Sequence, residues 1–280
     1  AEVFGRGLVT TVEDFGLKGE PPTHPELLDW LAVELMEPSI ASEGRTPPAP
    51  WSMKHVLRLI VLSSTYRQSS KLTPEAAERD DRNLLYARGP RLRLDAEAIR
   101  DNALAIAGLL SKKQFGPPIK PPQPDGLWTK VGGERYEYVV SPGEDKYRRG
   151  LYVVWKRGSP YPSFINFDAS QRTACTVKRS RSNTPLQALT LLNDPVYVEA
   201  AQALARRVVA ERPAPDADER LSYAFRLCTA RPPNARELAV LQRLYADERA
   251  AHGAANDADD RAWYAVATAL LNLDETITKE

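Results

Sequence analysis

The chain has 280 residues, 42% hydrophobic and 27% charged, which argues against disorder and allows a core that folds without disulfide or metal staples. Basic and acidic residues nearly cancel, 38 against 37, so no global field draws the chain to nucleic acid or an anionic membrane, and anion binding must come from local clusters. No apolar run approaches the ~20 residues that span a bilayer. The two cysteines, Cys175 and Cys228, make no Cys-x-x-Cys or Cys-x-x-Cys-His, leaving no support for thioredoxin-type, zinc-ribbon or covalent haem sites; one disulfide and two buried thiols fit them equally well.

The chain opens on Ala1-Glu2-Val3-Phe4, which reads as the middle of an element, so a fragment of something longer is expected. Glycine turns and a Pro21-Pro22 pair lead to Thr23-His24-Pro25-Glu26, a capping box that predicts a helix over 24–37 with Leu27, Leu28, Leu31 and Leu35 on one stripe. Residues 38–50 are Pro- and Ser-rich and predict an exposed loop. Ser52 caps a second helix, with Trp51 set to staple against Val56, and Val56, Leu59, Ile60 and Leu62 predict a wide buried face. Asp95 opens a helix to about 111 that is apolar around most of its circumference and is expected in mid-core.

From 114 to 134, Pro and Gly exclude a helix. The strand candidates follow, Tyr136–Val140 and Leu151–Trp155, and together they predict a small hairpin or sheet. Thr184-Pro185-Leu186-Gln187 is a second capping box. Asp194-Pro195, Asp216-x-x-Glu219 and Asn234-x-x-Glu237 start further helices, and 257–273 reads as the last. The expected fold is mainly α, a multi-helix orthogonal bundle with a small β-hairpin or sheet inserted near the middle. Its stretches are 1–113, 114–183 and 184–280, forming one compact domain.

Some signatures fall away. Asp14-Phe15-Gly16 has no phosphate loop or His-Arg-Asp segment beside it, and Gly5-Arg6-Gly7 lacks the third glycine of a dinucleotide fingerprint. With three histidines, a histidine-rich metal site has little to build on, and no metal site is expected. Three constellations remain. Glu20 and His24, with Asp14 and Glu26, could do general acid–base work on a glycoside or ester; the alternative is that these carboxylates cap turns and a helix. Glu97 and Asp101 project from one helical face, either as an acid–base pair or as partners of Arg91, Arg93 or Arg100. Arg149 and Arg157, with Lys178, Arg179 and Arg181, all come ahead of a helix start at Asn183–Gln187, a ready site for sulfate, carboxylate or phosphate. Equally, these arginines could pair with the acidic cluster around 95–101. A basic stripe without net charge or a groove-reading module argues against nucleic acid.

Long strings carry a family resemblance: Phe4–Trp30; Trp51-Ser52-Met53-Lys54-His55 with Leu59–Ser70; Arg93–Asp101; Phe167-Asp168; Asn183–Pro195; Arg231-Pro232-Pro233; and Ala269–Glu275. In these the chain resembles the C-terminal PSD-type domain of unknown function found in exported, multidomain planctomycete proteins. The resemblance implies an upstream cytochrome c-like domain as partner and export to the periplasm or cell surface. Haem would sit only in that upstream domain, so no cofactor is expected in this chain. Three functions follow as expectations: a non-haem module binding an acidic or sulfated polysaccharide, a glycan-degrading hydrolase or lyase, and a scaffold that docks the cytochrome c-like domain.

Overall fold

The computed structural model describes residues 1–40, 48–127, 137–213, 216–253 and 255–279. It is mainly helical with one small sheet. The chain divides into two compact units, 1–92 with the last two residues, and 93–278. Two short strands, β1 (Leu92–Arg93) and β2 (Thr278–Lys279), pair where the chain passes from one unit to the other.

In the first unit, α1 (Pro25–Met36), α2 (Met53–Leu62) and α3 (Pro74–Arg79) follow a turn-rich N-terminal segment. The expected Thr23 capping box does not form. Thr23 is drawn away by Leu8, whose carbonyl accepts both its N–H (2.8 Å) and its hydroxyl (3.2 Å), and the cap position falls to His24. Ser52 does cap α2, accepting from the His55 N–H at 3.3 Å. Trp51 does not act as a staple residue: it stands out in solvent at φ 64.

The predicted apolar faces of α1 and α2 are at most half-buried: Leu31, Leu35, Val56, Leu59 and Ile60 are partly covered, while Leu27, Leu28 and Leu62 are exposed. The buried residues of these helices are Glu34 and His55, 1% and 8% exposed, which meet at 2.7 Å. Glu34 also accepts from the N–H groups of Ser39 and Ile40 and from the Ser39 hydroxyl, so one carboxylate closes the C-terminal end of α1. These bonds, together with His55, outweigh the opposing effect of burial and pull its pKa down to about 2. Leu27, Leu28, Trp30, Val33 and Met36 on α1 are exposed, as are Met53, Leu57, Val61 and Leu62 on α2. The expected 38–50 loop lies mostly outside the described residues.

The second unit holds α4 (Ala96–Ile106), α5 (Pro162–Asn166), α6 (Pro185–Asn193), α7 (Pro195–Glu211), α8 (Ala217–Thr229), α9 (Ala235–His252), α10 (Ala258–Leu271) and α11 (Asp274–Ile277). Asp194, Asp216 and Asn234 cap as expected, each accepting a first-turn N–H, and such caps stabilise a helix by ~1 kcal/mol. Alanines on α7 (Ala200, Ala201, Ala203) and α10 (Ala262, Ala267) let the two helices approach closely around Leu204, Trp263, Val266 and Leu270. As expected, α4 is in mid-core, burying Ile99, Ala103, Leu104 and Ile106, though it ends at Ile106.

The sheet is not made by the expected strand residues. Tyr136 lies outside the described residues, 137–140 form no regular element, and Gly150–Tyr152 is a 3-10 turn. Two isolated bridges, Ser111 to Arg148 and Ile119 to Val153, are what remains of a ladder. The reason is chemical. Prolines remove N–H donors from the 114–124 stretch, and two buried arginines supply donors instead. Arg148 reaches the carbonyls of Lys113, Phe115 and Pro117 while stacking on Tyr152 at 3.9 Å, and Arg100 donates to the carbonyls of Lys146 (2.6 Å) and Arg148 (2.8 Å).

Candidate functional site: a tied polar cavity and an apolar helical face

Around the start of α4 the predicted acids and bases come together. Glu97 holds Arg179 in a two-pronged pair, Nη1 to Oε2 at 2.6 Å and Nη2 to Oε1 at 3.2 Å. Burial raises the Glu97 pKa, but the Arg179 hydrogen bond and charge outweigh it and hold the carboxyl below its ordinary value. Asp95 sits 3.9 Å from Arg179 and 3.8 Å from Arg181. One turn along, Asp101 accepts the Gly150 N–H at 2.6 Å and lies 3.5 Å from Arg149 and 3.6 Å from Arg100. Burial dominates there and raises the Asp101 pKa. Gly150 is required at this crossing, since a Cβ would sit 2.9 Å from the Glu97 Cβ.

The basic residues divide by role. Arg179 and Arg181 face the acidic cluster, and Arg149 leans on Asp101 while remaining 60% exposed. Arg157, Lys178 and Asn183 are exposed. Gln187 is buried and structural: its amide donates to the Asn166 carbonyl and the Ser182 hydroxyl and accepts the Thr184 N–H. The α6 start is thereby tied into its own loop.

Asp168 was not singled out as a site residue by sequence, yet it is the hub of the loop. It takes Arg93 at 2.8 Å and both the N–H and hydroxyl of Ser182. Its neighbour Phe167 in the string Phe167-Asp168 was the available signal. Between Asp168 and Ser180 the loop encloses a cavity of about 340 Å³ lined by Ser170, Gln171, Arg172, Thr173, Thr176 and Arg179. Arg172 stacks on Trp155 at 5.0 Å and makes no ion pair among the described residues.

Glu20 and His24 belong to the first unit and are not joined to each other by a hydrogen bond among the described residues. Glu20 accepts from the Thr10 hydroxyl, and His24 Nδ1 is 3.0 Å from Thr23 Oγ1, with its ring 5.5 Å from that of Tyr86. Cys175 is exposed and Cys228 buried, both free, so neither a disulfide nor a pair of buried thiols forms; burial pushes the Cys228 thiol up to about 12. Among the described residues no group of three or more metal-ligating side chains is placed to hold an ion, and no helix is long and apolar enough to cross a membrane.

These features define a mainly helical protein of two units, one with a charge-tied polar cavity and one with an apolar helical face. Residues 1–245 match the family PSD1, described as a protein of unknown function (DUF1553), and the chain belongs to that family. No curated protein and no solved structure matches the chain.

Proposed function

We propose that the chain is a docking module whose first unit seats a companion domain on the outer faces of α1 and α2. One observation carries the reading: the two helices bury a carboxylate–histidine pair and leave Leu28, Val33 and Met36 of α1 and Met53, Leu57, Val61 and Leu62 of α2 exposed, Met53 and Leu62 at 61% and 63%. A contiguous apolar surface of this kind marks an interaction site. The companion is the cytochrome c-like domain that the family resemblance implies, in an exported multidomain protein.

The test is hydrogen exchange on the chain alone and mixed with that domain, beside the variant Leu57→Asp/Val61→Asp. Slowed exchange confined to α1 and α2, lost in the variant while the melting temperature holds, supports docking. Unchanged exchange there, or sedimentation showing a dimer that the variant dissolves, refutes the companion and assigns the face to a second copy.

A second reading is favoured by the cavity over 168–180: it binds the anionic group of an acidic or sulfated polysaccharide. Arg172 makes no ion pair among the described residues, and Ser170, Thr173 and Thr176 line the same cavity with their hydroxyls. Thermal-shift titration with sulfated and uronic oligosaccharides should show stabilisation that Arg172→Gln removes; equal shifts in both proteins would sink it. Acid–base catalysis has less support, since Glu97 is taken by Arg179 and Asp101 by Gly150.

A further inference from the structure

Two cavities of the first unit adjoin at Phe4 and Arg6, and their chemistry is opposite. The larger, about 550 Å³, is walled by Phe4, Leu27, Trp30, Leu31, Leu59 and Ile60, with Glu2 also in its lining. The smaller, about 270 Å³, is ringed by Arg6, Arg82, Arg88 and Arg91 with Ser70 and Asn83, and no carboxylate is in its lining. Arg82 has no hydrogen bond or ion pair among the described residues, and Arg6 keeps a buried Nε that meets no acceptor. Arg88 is fixed in place by the carbonyls of Asp80 (2.7 Å) and Asp81 (2.6 Å), while its backbone is clasped by the Asn83 amide. The nearby Asp80 carboxylate is occupied by the N–H groups of Leu84 and Leu85. Its pKa is lowered, first by the Leu85 N–H and also by the charges of Arg88 and Arg6, so it offsets part of the charge of those two arginines.

Buried donors without acceptors are costly unless a ligand supplies the acceptor. Guanidinium groups meet tetrahedral oxyanions with several hydrogen bonds at once. A mostly apolar pocket with a few convergent polar groups, in this size range, is the usual form of a small-molecule site. We infer that the paired cavities bind an amphipathic oxyanion ester, a phosphate or sulfate monoester of an alkyl or aryl alcohol. The head lies among Arg6, Arg82 and Arg88 and the apolar body fills the cleft between α1 and α2. The site goes beyond the docking reading: its occupant is a small molecule rather than a domain, and it can be tested on the chain alone.

The experiment is calorimetric titration of the chain with octyl phosphate below its micelle concentration, with inorganic phosphate, inorganic sulfate and octanol as separate arms. Octyl phosphate is expected to bind at least tenfold more tightly than any of the three. Arg82→Gln should weaken it tenfold or more at unchanged melting temperature, because that side chain makes no hydrogen bond or ion pair among the described residues. Leu31→Trp should fill the cleft and reduce octyl phosphate to the affinity of phosphate alone. Inorganic phosphate binding as well as the ester would overturn the amphipathic assignment in favour of a free anion. Octanol binding as well as the ester would overturn the role of the arginines, and no saturable binding in any arm overturns the site. Should Arg82→Gln fail to fold, raising salt must weaken the ester but not octanol; equal salt dependence counts against the inference.

Discussion

Arg179 separates a clamp from a ligand-binding cation, and a double-mutant cycle with Glu97 decides between them. Hydrogen bonds to charged groups are worth about 1.5–3 kcal/mol when well buried. The Arg179 and Glu97 side chains are 32% and 21% exposed, so solvent screens a good part of that value. The coupling expected between Arg179→Ala and Glu97→Gln is therefore about 1–2 kcal/mol. For a unit of this size that corresponds to a non-additivity in melting temperature of about 2–8 °C, at ~2–4 °C per kcal/mol. Chemical denaturation of wild type, both single variants and the double variant gives the number. A bound anion would appear instead as a stability that depends on ligand concentration. Coupling below about 0.3 kcal/mol would refute the clamp and free Arg179 for a binding role. The pair also predicts a pH effect: because the folded pKa of Glu97 lies below its ordinary value, its contribution is complete above that value and is lost as pH falls through the folded one.

Other outcomes follow from single groups. Burial raises the Asp194 pKa to about 6 from 3.8, so the folded state holds a proton that the unfolded state has released. Stability should fall as pH rises from about 4 to about 6, and Asp194→Asn should flatten that slope and gain up to about 3 kcal/mol at pH 7, read from denaturation midpoints across pH. A wild-type profile that is flat over this range would show that the carboxyl is better solvated than its 6% exposure indicates. Glu34 acts in the opposite sense: its stabilisation is complete above about 4.5 and fades as pH falls toward about 2, so proteolysis between α1 and α2 should appear first in acid. Leu204 is fully buried between α7 and its neighbours, and Leu204→Ala should cost about 2–5 kcal/mol in urea denaturation. A thiol reagent should label Cys175 at once and Cys228 only on unfolding; one-step labelling of both would contradict the burial of α8.

Much of the helical order was legible because capping is local. Ser52, Asp194, Asp216 and Asn234 each bond within three residues of themselves, and a pattern on that scale survives tertiary structure. Thr23 failed because its partner, Leu8, lies outside the window in which a cap is read. Strand composition at 151–155 misled for a related reason: apolar residues predict an extended segment but not its partner, and here the facing proline-rich stretch offers Ile119 alone to Tyr152 and Val154, while Arg100 and Arg148 satisfy neighbouring carbonyls. The stripe on α1 was correctly periodic, yet periodicity marks an apolar face without saying whether the same chain covers it. At the site, Glu97 and Asp101 were visible one turn apart, and so was the option that distant arginines pair with them. The partner of Glu97, however, is Arg179, 82 residues away, rather than nearby Arg91 or Arg93. The arginine pocket at Arg6, Arg82 and Arg88 was invisible because its cations are scattered through unremarkable sequence.

Asp168 has one further consequence. Its carboxylate grips Ser182 while its own backbone, at φ 60, turns the chain out of α5, so both feet of the 169–181 stretch are anchored to one residue. What lies between the feet can lengthen or shorten with little effect on the helices, because loop-closure entropy grows only slowly with length. The stretch is a permissive graft point: a recognition tag or reporter peptide inserted near Thr173 should leave the second unit folded, whereas Asp168→Ala should loosen the feet and speed proteolysis of the segment, with Arg179 still held by Glu97.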